Sequence, residues 1–394
     1  MSSPPRFMYI LFIIMLAGAG LAPFIFNQID IWHAQGIWIQ GWIMVAFSSA
    51  FFMNQNPVKI KNIPLGLLHL WIGLLTFYVC YLGQIRNTYS PSAFFPYFNF
   101  LCLVILYSLV VNFLSYYGIN KVLESLRWLA LGTMGICVLQ KFDLFRIMAL
   151  YHPENPYLTN IVVGVIGNGT LLSGFLTILL PIFLIEKKRE NVLAIILMFI
   201  LLFSCGTTVN DPSIMGFIVF FLVISAYFWK NHHAGKMIVI FGAIISMFIL
   251  VFFVPVEIIK KFIGTNGRVE WLTYYWNLFK TQITPIGVGL GKINMLHEHT
   301  PFPGLRRLHL EYFQVMFETG FIGLILVSNL IHSFFRQKDQ DDLQFYLKLI
   351  VMAFLVSCLF NSMAHLWIVS SIVMFAYAAY FCIQNAYKTS RLGN

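Results

Sequence analysis

The sequence predicts an all-α polytopic membrane protein with about twelve transmembrane helices in one integral membrane domain, residues 1–394. Of its 394 residues, 59% are hydrophobic and only 10% are charged, whereas an average soluble domain carries roughly 25% charged residues. A soluble core cannot accommodate so much apolar surface. A bilayer can, because lipid solvates apolar side chains on every side and each helix satisfies its own backbone hydrogen bonds.

Apolar stretches near the ~20 residues that a bilayer requires recur along the whole chain. Nine of them lie at about 7–26, 37–53, 65–82, 94–114, 161–185, 213–229, 237–254, 314–335 and 366–384. Three more, at about 126–140, 191–206 and 343–360, are shorter or carry a charge near one end. Counting all of them predicts twelve helices. The first stretch resembles a secretory signal, but its apolar run continues to Phe26, which favours a retained helix.

The distribution of basic residues predicts the orientation of the chain. The formal charge is +10, yet the Lys and Arg residues form no compact run, so nucleic-acid binding is not expected. With the N-terminus inside, fifteen of the 25 basic residues fall in cytoplasmic segments, and only Arg86, Lys141 and Arg146 fall in short external loops. The positive-inside rule therefore favours cytoplasmic N- and C-termini. The six cysteines lie in or beside apolar stretches without metal-type spacing, so neither a disulfide nor a metal site is predicted from them.

The remaining seven basic residues lie together in the segment 255–308, directly before the tenth predicted helix. This connection is far longer than the others, and long loops are translocated across the membrane largely regardless of their charge. We therefore predict that it is extracytoplasmic. Binding and catalytic residues concentrate in such loops, which makes 255–308 the first candidate for a functional site.

Within this loop, residues 268–280 predict an amphipathic helix, with Asn266 and Gly267 as its cap. Its apolar face consists of Trp271, Leu272, Tyr275, Trp276, Leu278 and Phe279. Aromatic residues favour the membrane–water interface, so this helix is expected to lie flat on the bilayer. Arg268 stands at its N-terminus, where free N–H groups attract a phosphate. A salt bridge or a snorkelling side chain explains Arg268 equally well.

A glycine-rich turn follows at Pro285–Gly291. Its alternating glycines allow either a close approach of two backbones or an anion-binding nest, and a flexible turn is the third interpretation. Gly287 and Gly289 are therefore candidate substrate-binding residues.

Ionisable residues gather where the chain re-enters the membrane, namely His297, Glu298, His299, Arg306, Arg307, His309 and Glu311. Such groups at the bilayer edge are costly and indicate a site. The His-Glu-His tripeptide lacks the helical spacing of zinc ligands, so no metal is expected. With an ordinary pKa near ~6.5, His309 can accept a proton from a hydroxyl group. An interfacial histidine at the start of a helix is the alternative interpretation.

The run from His309 to Gly323, HLEYFQVMFETGFIG, resembles the signature of the O-antigen ligase and O-antigen polymerase superfamily. That signature is a histidine followed at a fixed distance by Gly-x-x-Gly, matched here by His309, Gly320 and Gly323. The resemblance extends to the Gly267–Arg268 pair, to the turn at Pro285–Gly291, and to Gly164, Gly167 and Asn168 in GVIGNGTLLSG.

The chain departs from the family pattern at two places. Leu310 follows the histidine, where the family usually has Asn, Ser or Gln. The turn after the seventh predicted helix reads Thr207 to Pro212 without the usual Ser-Arg pair. The missing arginine is therefore either supplied by Arg306, Arg307 or Arg146 or absent.

The resemblance implies a bacterial inner-membrane protein whose fold is grouped with the C-type glycosyltransferases, with 255–308 as its periplasmic loop. It implies an O-antigen ligase of lipopolysaccharide biosynthesis, which transfers a glycan from undecaprenyl diphosphate to a lipid A-core sugar hydroxyl without metal or other cofactor. Arg268, with Arg306 or Arg307, would hold the diphosphate, because a planar guanidinium binds phosphate bidentately. His309 would orient or deprotonate the acceptor hydroxyl. Glu311 and Glu318, seven residues apart on one helix face, are secondary candidates for orienting His309 or the acceptor.

Two further interpretations stay open within the enzyme class, since a growing polysaccharide acceptor would make the protein a polymerase and a protein hydroxyl would make it a glycosylase. A secondary transporter is the rival from another class, because twelve helices also suit carriers built from repeated halves. The short connection Glu186–Glu190 after the sixth predicted helix weighs against it, as does the small number of ionisable residues near mid-membrane.

The predicted orientation is testable by cysteine labelling. Single cysteines in 255–308, in a background without native cysteines, should react with a membrane-impermeant reagent in intact spheroplasts, because the segment faces the periplasm. A cysteine at Lys188, in a predicted cytoplasmic turn, is the matched control and should react only after lysis. Labelling of the loop positions only after lysis would reverse the topology.

Overall fold

The computed structural model describes a set of residues that is helical apart from turns and short connecting segments. The described residues are 67–85, 103–104, 107, 119–142, 144, 162, 169–186, 188–205, 211–231, 273–274, 276–277, 280, 285–290, 311–359 and 367–392. They contain eight helices: α1 (Leu67–Ile85), α2 (Ile119–Lys141), α3 (Gly169–Leu184), α4 (Arg189–Ser204), α5 (Asp211–Asn231), α6 (Glu311–Phe335), α7 (Asp342–Ser357) and α8 (Trp367–Leu392).

Each of these helices coincides with an apolar stretch that the sequence predicted as a span, including the three shorter ones. Two of the described helices, α2 and α6, are long and apolar enough to cross a membrane by length and composition. The stretches 7–26, 37–53 and 237–254 lie outside the described residues, and 94–114 contributes only three described residues, all helical. The total of twelve helices therefore stays a prediction.

Helix α3 lies at the centre of the described bundle. It packs against α2, α4, α5 and α7, and every residue from 172 to 184 is buried. A helix that is apolar on all sides is stable only when other helices surround it or when it lies in lipid, and α3 has neighbours on several sides. The buried Thr177 is accommodated locally, since its hydroxyl donates to the carbonyl oxygens of Ser173 at 2.9 Å and Gly174 at 3.0 Å.

Small residues bring α3 and α5 close together. A Cβ atom on Gly216 of α5 would lie 2.8 Å from the Cβ of Ser173 and 2.9 Å from a methyl carbon of Leu202. Larger side chains at this crossing would push the helices apart, and small residues serve the same purpose at helix interfaces in membranes. The crossing of α3 and α5 therefore depends on Gly216.

Ion pairs connect segments that the sequence assigned to the cytoplasmic side. The carboxylate of Glu186, in the turn between α3 and α4, lies 2.8 Å from the Lys188 ammonium and 3.1 Å from the Arg127 guanidinium of α2. The hydrogen bond from Lys188 is the main cause that lowers the pKa of the Glu186 carboxyl below its ordinary value. Lys230, at the end of α5, pairs in the same way with Asp342 at 2.7 Å.

The loop between α6 and α7 is held by one lysine. The ammonium of Lys348 lies 2.7 Å from the Asp339 carboxylate, donates to the carbonyl of Gln337, and sits 5.1 Å from the ring centre of Tyr380. The four basic residues Arg127, Lys188, Lys230 and Lys348 all belong to the set that the sequence assigned to the cytoplasm. In the structure all four form ion pairs with nearby carboxylates, and the membrane orientation itself stays a prediction.

Candidate functional site

Helix α6 is broken at Gly320. This helix follows His309, the predicted catalytic residue. Gly320 has φ 67° and ψ −170°, a backbone conformation that is essentially restricted to glycine. The sequence predicted one continuous span at 314–335, and the structure differs because this residue interrupts the helical hydrogen bonds. The break divides α6 into an upper segment, 311–319, and a lower segment, 321–335.

The carbonyl groups that precede the break find donors outside the helix. The N–H of Val288 donates to the carbonyl of Phe317 at 3.2 Å, and the N–H of Gly289 donates to the carbonyl of Glu318 at 2.8 Å. In return, the N–H of Ile322 donates to the carbonyl of Pro285 at 3.3 Å. The described part of the glycine-rich turn, residues 285–290, therefore replaces backbone hydrogen bonds that the break removes.

A tyrosine from α1 completes this arrangement. The Tyr78 hydroxyl is 2.6 Å from the carbonyl oxygen of Thr319 and 2.9 Å from that of Ile286. One side chain thus contacts the broken helix and the turn at once. Because Tyr78 is more than 200 positions away in the sequence, the contact fastens three separate segments of the chain to one another.

Glycine is required on both sides of this contact. A Cβ atom on Gly287 would lie closer than 3.0 Å to the Gly320 nitrogen, and a Cβ atom on Gly320 would lie equally close to the Pro285 carbonyl oxygen. A Cβ atom on Gly323 would collide with the side chain of Thr319. The Gly-x-x-Gly part of the signature therefore has a packing role: Gly320 allows the break, and Gly323 makes room for Thr319.

The upper segment of α6 buries a row of polar side chains. Glu311 is 6% exposed, Gln314 2% and Glu318 3%. The Gln314 amide nitrogen donates to the Glu318 carboxylate at 3.3 Å. The Gln314 amide oxygen is buried and accepts no hydrogen bond from any residue that the structure describes. Two carboxylates and an amide on one buried helix face are costly in an apolar protein, which is typical of a functional site.

The start of α6 is anchored to its surroundings. The backbone N–H of Glu311 donates to the carbonyl of Cys358 at 3.3 Å, and the Tyr312 hydroxyl donates to the carbonyl of Leu355 at 2.8 Å. Both acceptors lie at the end of α7. The ring centres of Trp276 and Phe313 are 6.1 Å apart, so the segment predicted as the loop helix contacts the same end of α6.

The structure describes some of the predicted site residues. Glu311 lies in the buried row with Glu318, as the seven-residue spacing predicted. Gly287 and Gly289 are buried in the turn with φ 69° and 105°. The turn approaches the backbone of α6 closely, which is one of the interpretations that its glycines allowed. The N–H of Gly289 donates to the carbonyl of Glu318. Whether these two glycines also contact a substrate stays a prediction.

The remaining predicted residues lie outside the described part of the chain: His309, Arg268, Arg306 and Arg307, together with the alternative Arg146. Of the predicted loop helix 268–280, the described residues 273, 274, 276, 277 and 280 are all helical. The structure thus describes the helix that follows His309, and the assignments of His309 and of the arginines stay predictions.

Two residues of the site were not predicted from the sequence. Gln314 carried a signal that could have found it, because it is a polar residue in an apolar span, three positions after Glu311 and four before Glu318. Tyr78 carried none. Tyrosine is common in membrane helices, and only the packing of α1 on α6 brings this one to the Gly320 break.

The break at Gly320 leads to a prediction about stability. Gly320→Ala should lower the yield of monodisperse protein and its melting temperature sharply, because an L-residue is strained at this φ and its Cβ collides with Pro285. Size-exclusion chromatography of detergent extracts over a temperature series measures both. Gly132→Ala in α2 is the matched control, since its Cβ would meet nothing within 4 Å. A Gly320→Ala protein that melts with the wild type would contradict the role of the break.

No family model, no curated protein and no solved structure matches the chain.

Proposed function

We infer that the protein is a membrane glycosyltransferase of the O-antigen ligase type. It transfers a glycan from undecaprenyl diphosphate to a sugar hydroxyl of the lipid A core at the periplasmic face of a bacterial inner membrane. The reaction serves lipopolysaccharide biosynthesis and uses no metal or nucleotide-sugar donor. The substrates are thus a lipid-linked polysaccharide donor and a lipid-linked sugar acceptor.

One observation carries this proposal: the helix that follows His309 buries Glu311, Gln314 and Glu318 on one face. Buried ionisable groups in an apolar bundle are expensive and are retained where they act on a substrate. The signature glycines support the same conclusion, because Gly320 and Gly323 shape the helix that carries this face. A buried polar face on such a helix is what a bundle that binds a polar substrate requires.

The proposed reaction is the one that the family resemblance implies, with roles that suit the residue types. His309 takes the proton of the acceptor hydroxyl, whose oxygen attacks the anomeric carbon of the donor sugar. A carbon–oxygen bond forms there while the bond from that carbon to the diphosphate oxygen breaks. The leaving diphosphate keeps the electron pair, and Arg268 with Arg306 or Arg307 stabilises its charge. The lipid carrier is released as the diphosphate.

The second candidate is a polysaccharide polymerase, which would use the same donor and the same chemistry on a growing chain. Leu310, in place of the family's usual polar residue, favours it. A secondary transporter with a broken helix would offer unwound carbonyl groups to a cation. In α6, the carbonyls of Phe317, Glu318 and Thr319 already accept hydrogen bonds from the turn and from Tyr78, which weighs against that function.

Deletion of the gene separates the ligase from the polymerase. A ligase acts after chain growth, so its loss should leave long glycan on the carrier lipid and an unmodified core. Loss of a polymerase should instead leave core bearing single repeat units. An electrophoretic gel of lipopolysaccharide from a host that makes a polymeric O-antigen distinguishes the two. Core capped with single repeat units would show that the protein is a polymerase and not a ligase.

Complementation of that deletion tests His309, the proposed proton acceptor, and Arg268, the proposed ligand of the diphosphate. His309→Ala should lose ~10²-fold or more of the transfer rate, the scale of a positioned acid or base. Arg268→Lys should also impair transfer, since the ammonium cannot bind the diphosphate with two parallel hydrogen bonds. Lys338→Arg, in the loop between α6 and α7, is a control that should restore transfer fully. Wild-type activity of the Arg268→Lys protein at matched expression would remove Arg268 from the site.

A further inference from the structure

The polar face of α6, defined as Glu311, Gln314 and Glu318, is buried. We propose that this face binds the hydroxyl groups of the acceptor sugar. The Gln314 amide oxygen accepts a hydrogen bond from one of these hydroxyls and thereby positions the sugar. This inference rests on the proposed function and assigns one of the two substrates to a described surface.

The state of Gln314 is the observation that points to a ligand. Its side chain is 2% exposed, and its amide nitrogen donates a hydrogen bond to the Glu318 carboxylate. Its amide oxygen is an acceptor that no described residue satisfies. A buried acceptor that stays unsatisfied destabilises the protein. A hydrogen-bond donor from a bound molecule would remove that destabilisation.

The chemistry of the face selects the kind of molecule. Carboxyl and amide oxygens accept hydrogen bonds, and the sequence of α6 contains no lysine or arginine. Two carboxylates would repel a diphosphate, so the donor's leaving group is not the ligand here. A sugar ring offers several neutral O–H donors, which match a row of acceptors.

The position of the face within the chain favours the acceptor over the donor sugar. Glu311 stands two residues after His309, the proposed base for the acceptor hydroxyl. From Glu311 to Glu318 the helix rises by about 10 Å, at roughly 1.5 Å per residue. The lower end of the face is bounded by the Gly320 break, where the turn and Tyr78 fill the space beside the helix. Hydroxyls neighbouring the reacting one would therefore lie along this face.

The experiment replaces Gln314 by methionine, which keeps the length of the side chain and removes the amide. Purified full-length protein is assayed with undecaprenyl-diphosphate-linked glycan as donor and with core oligosaccharide, prepared from the deletion strain, as acceptor. Gln314→Met should raise the KM for the acceptor roughly tenfold and leave the KM for the donor unchanged, since one hydrogen bond to the sugar is lost. Gln384→Met is the matched control, a buried glutamine in α8 that bonds to Gln337, and should leave both KM values unchanged.

A binding measurement accompanies the kinetics. Core oligosaccharide should raise the melting temperature of the wild type, because a ligand that binds only the folded state stabilises it, and should raise that of Gln314→Met much less. Should the methionine variant fail to fold, Gln314→Asn gives the same two readouts, since its shorter side chain withdraws the amide oxygen.

The outcomes separate this inference from the proposed function. Transfer with an unchanged acceptor KM and an unchanged thermal shift would overturn the acceptor site while the enzyme assignment stands. A raised donor KM with an unchanged acceptor KM would likewise overturn it, by placing the donor sugar on this face. Binding of core oligosaccharide that depends on Gln314, in a wild-type protein that transfers no glycan, would support the site and remove the proposed function.

Discussion

A break in an apolar helix leaves backbone carbonyl groups that need new hydrogen-bond donors, and the rest of the candidate site depends on how those donors are supplied. An unsatisfied backbone group in an apolar environment costs several kcal/mol. At Gly320 the N–H groups of Val288 and Gly289 and the Tyr78 hydroxyl supply the donors. The break is therefore stable only while the turn and α1 stay in contact with α6.

This dependence places the glycine-rich turn well below the start of α6. Gly320 is nine residues into the helix, a rise of about 14 Å at roughly 1.5 Å per residue. Irregular backbone at such a depth is tolerated in membrane proteins only where protein or water surrounds it. The turn meets that condition, because Gly287 and Gly289 are buried against α6. The long loop before the tenth predicted helix is thus anchored at a point inside the bundle.

The break also separates two kinds of surface on one helix. Above it, Glu311, Gln314 and Glu318 are buried and polar. Below it, Phe321 and Ile325 are exposed and apolar, as expected of a helix that faces lipid. The polar half directly follows His309 and carries the proposed acceptor site, whereas the apolar half anchors the helix. A continuous α-helix would have kept one hydrogen-bond pattern through both halves and left the turn without acceptors.

The ion pairs involve none of the residues of this site. Arg127, Lys188 and Lys230 pair with carboxylates at helix ends that the sequence assigned to the cytoplasm. Partly exposed pairs of this kind contribute little to stability. Their charges instead match the predicted positive-inside distribution, and the orientation that it implies stays a prediction. The buried acidic face of α6 provides the candidate chemistry.

The sequence by itself determined the class of the fold and the places of its helices, because runs of ~20 apolar residues are typical of helices that cross a bilayer. All eight described helices fall on predicted stretches, and Glu311 and Glu318 share a face, since helical period follows from spacing alone. The break at Gly320 and the contact of Tyr78 with the turn were decided only by the tertiary structure. Glycine in a helix is compatible with a straight path, and a hydrogen bond between residues some 200 positions apart leaves no periodic signal. The burial of the Gln314 amide oxygen likewise depends on what packs beside α6, which no local pattern contains.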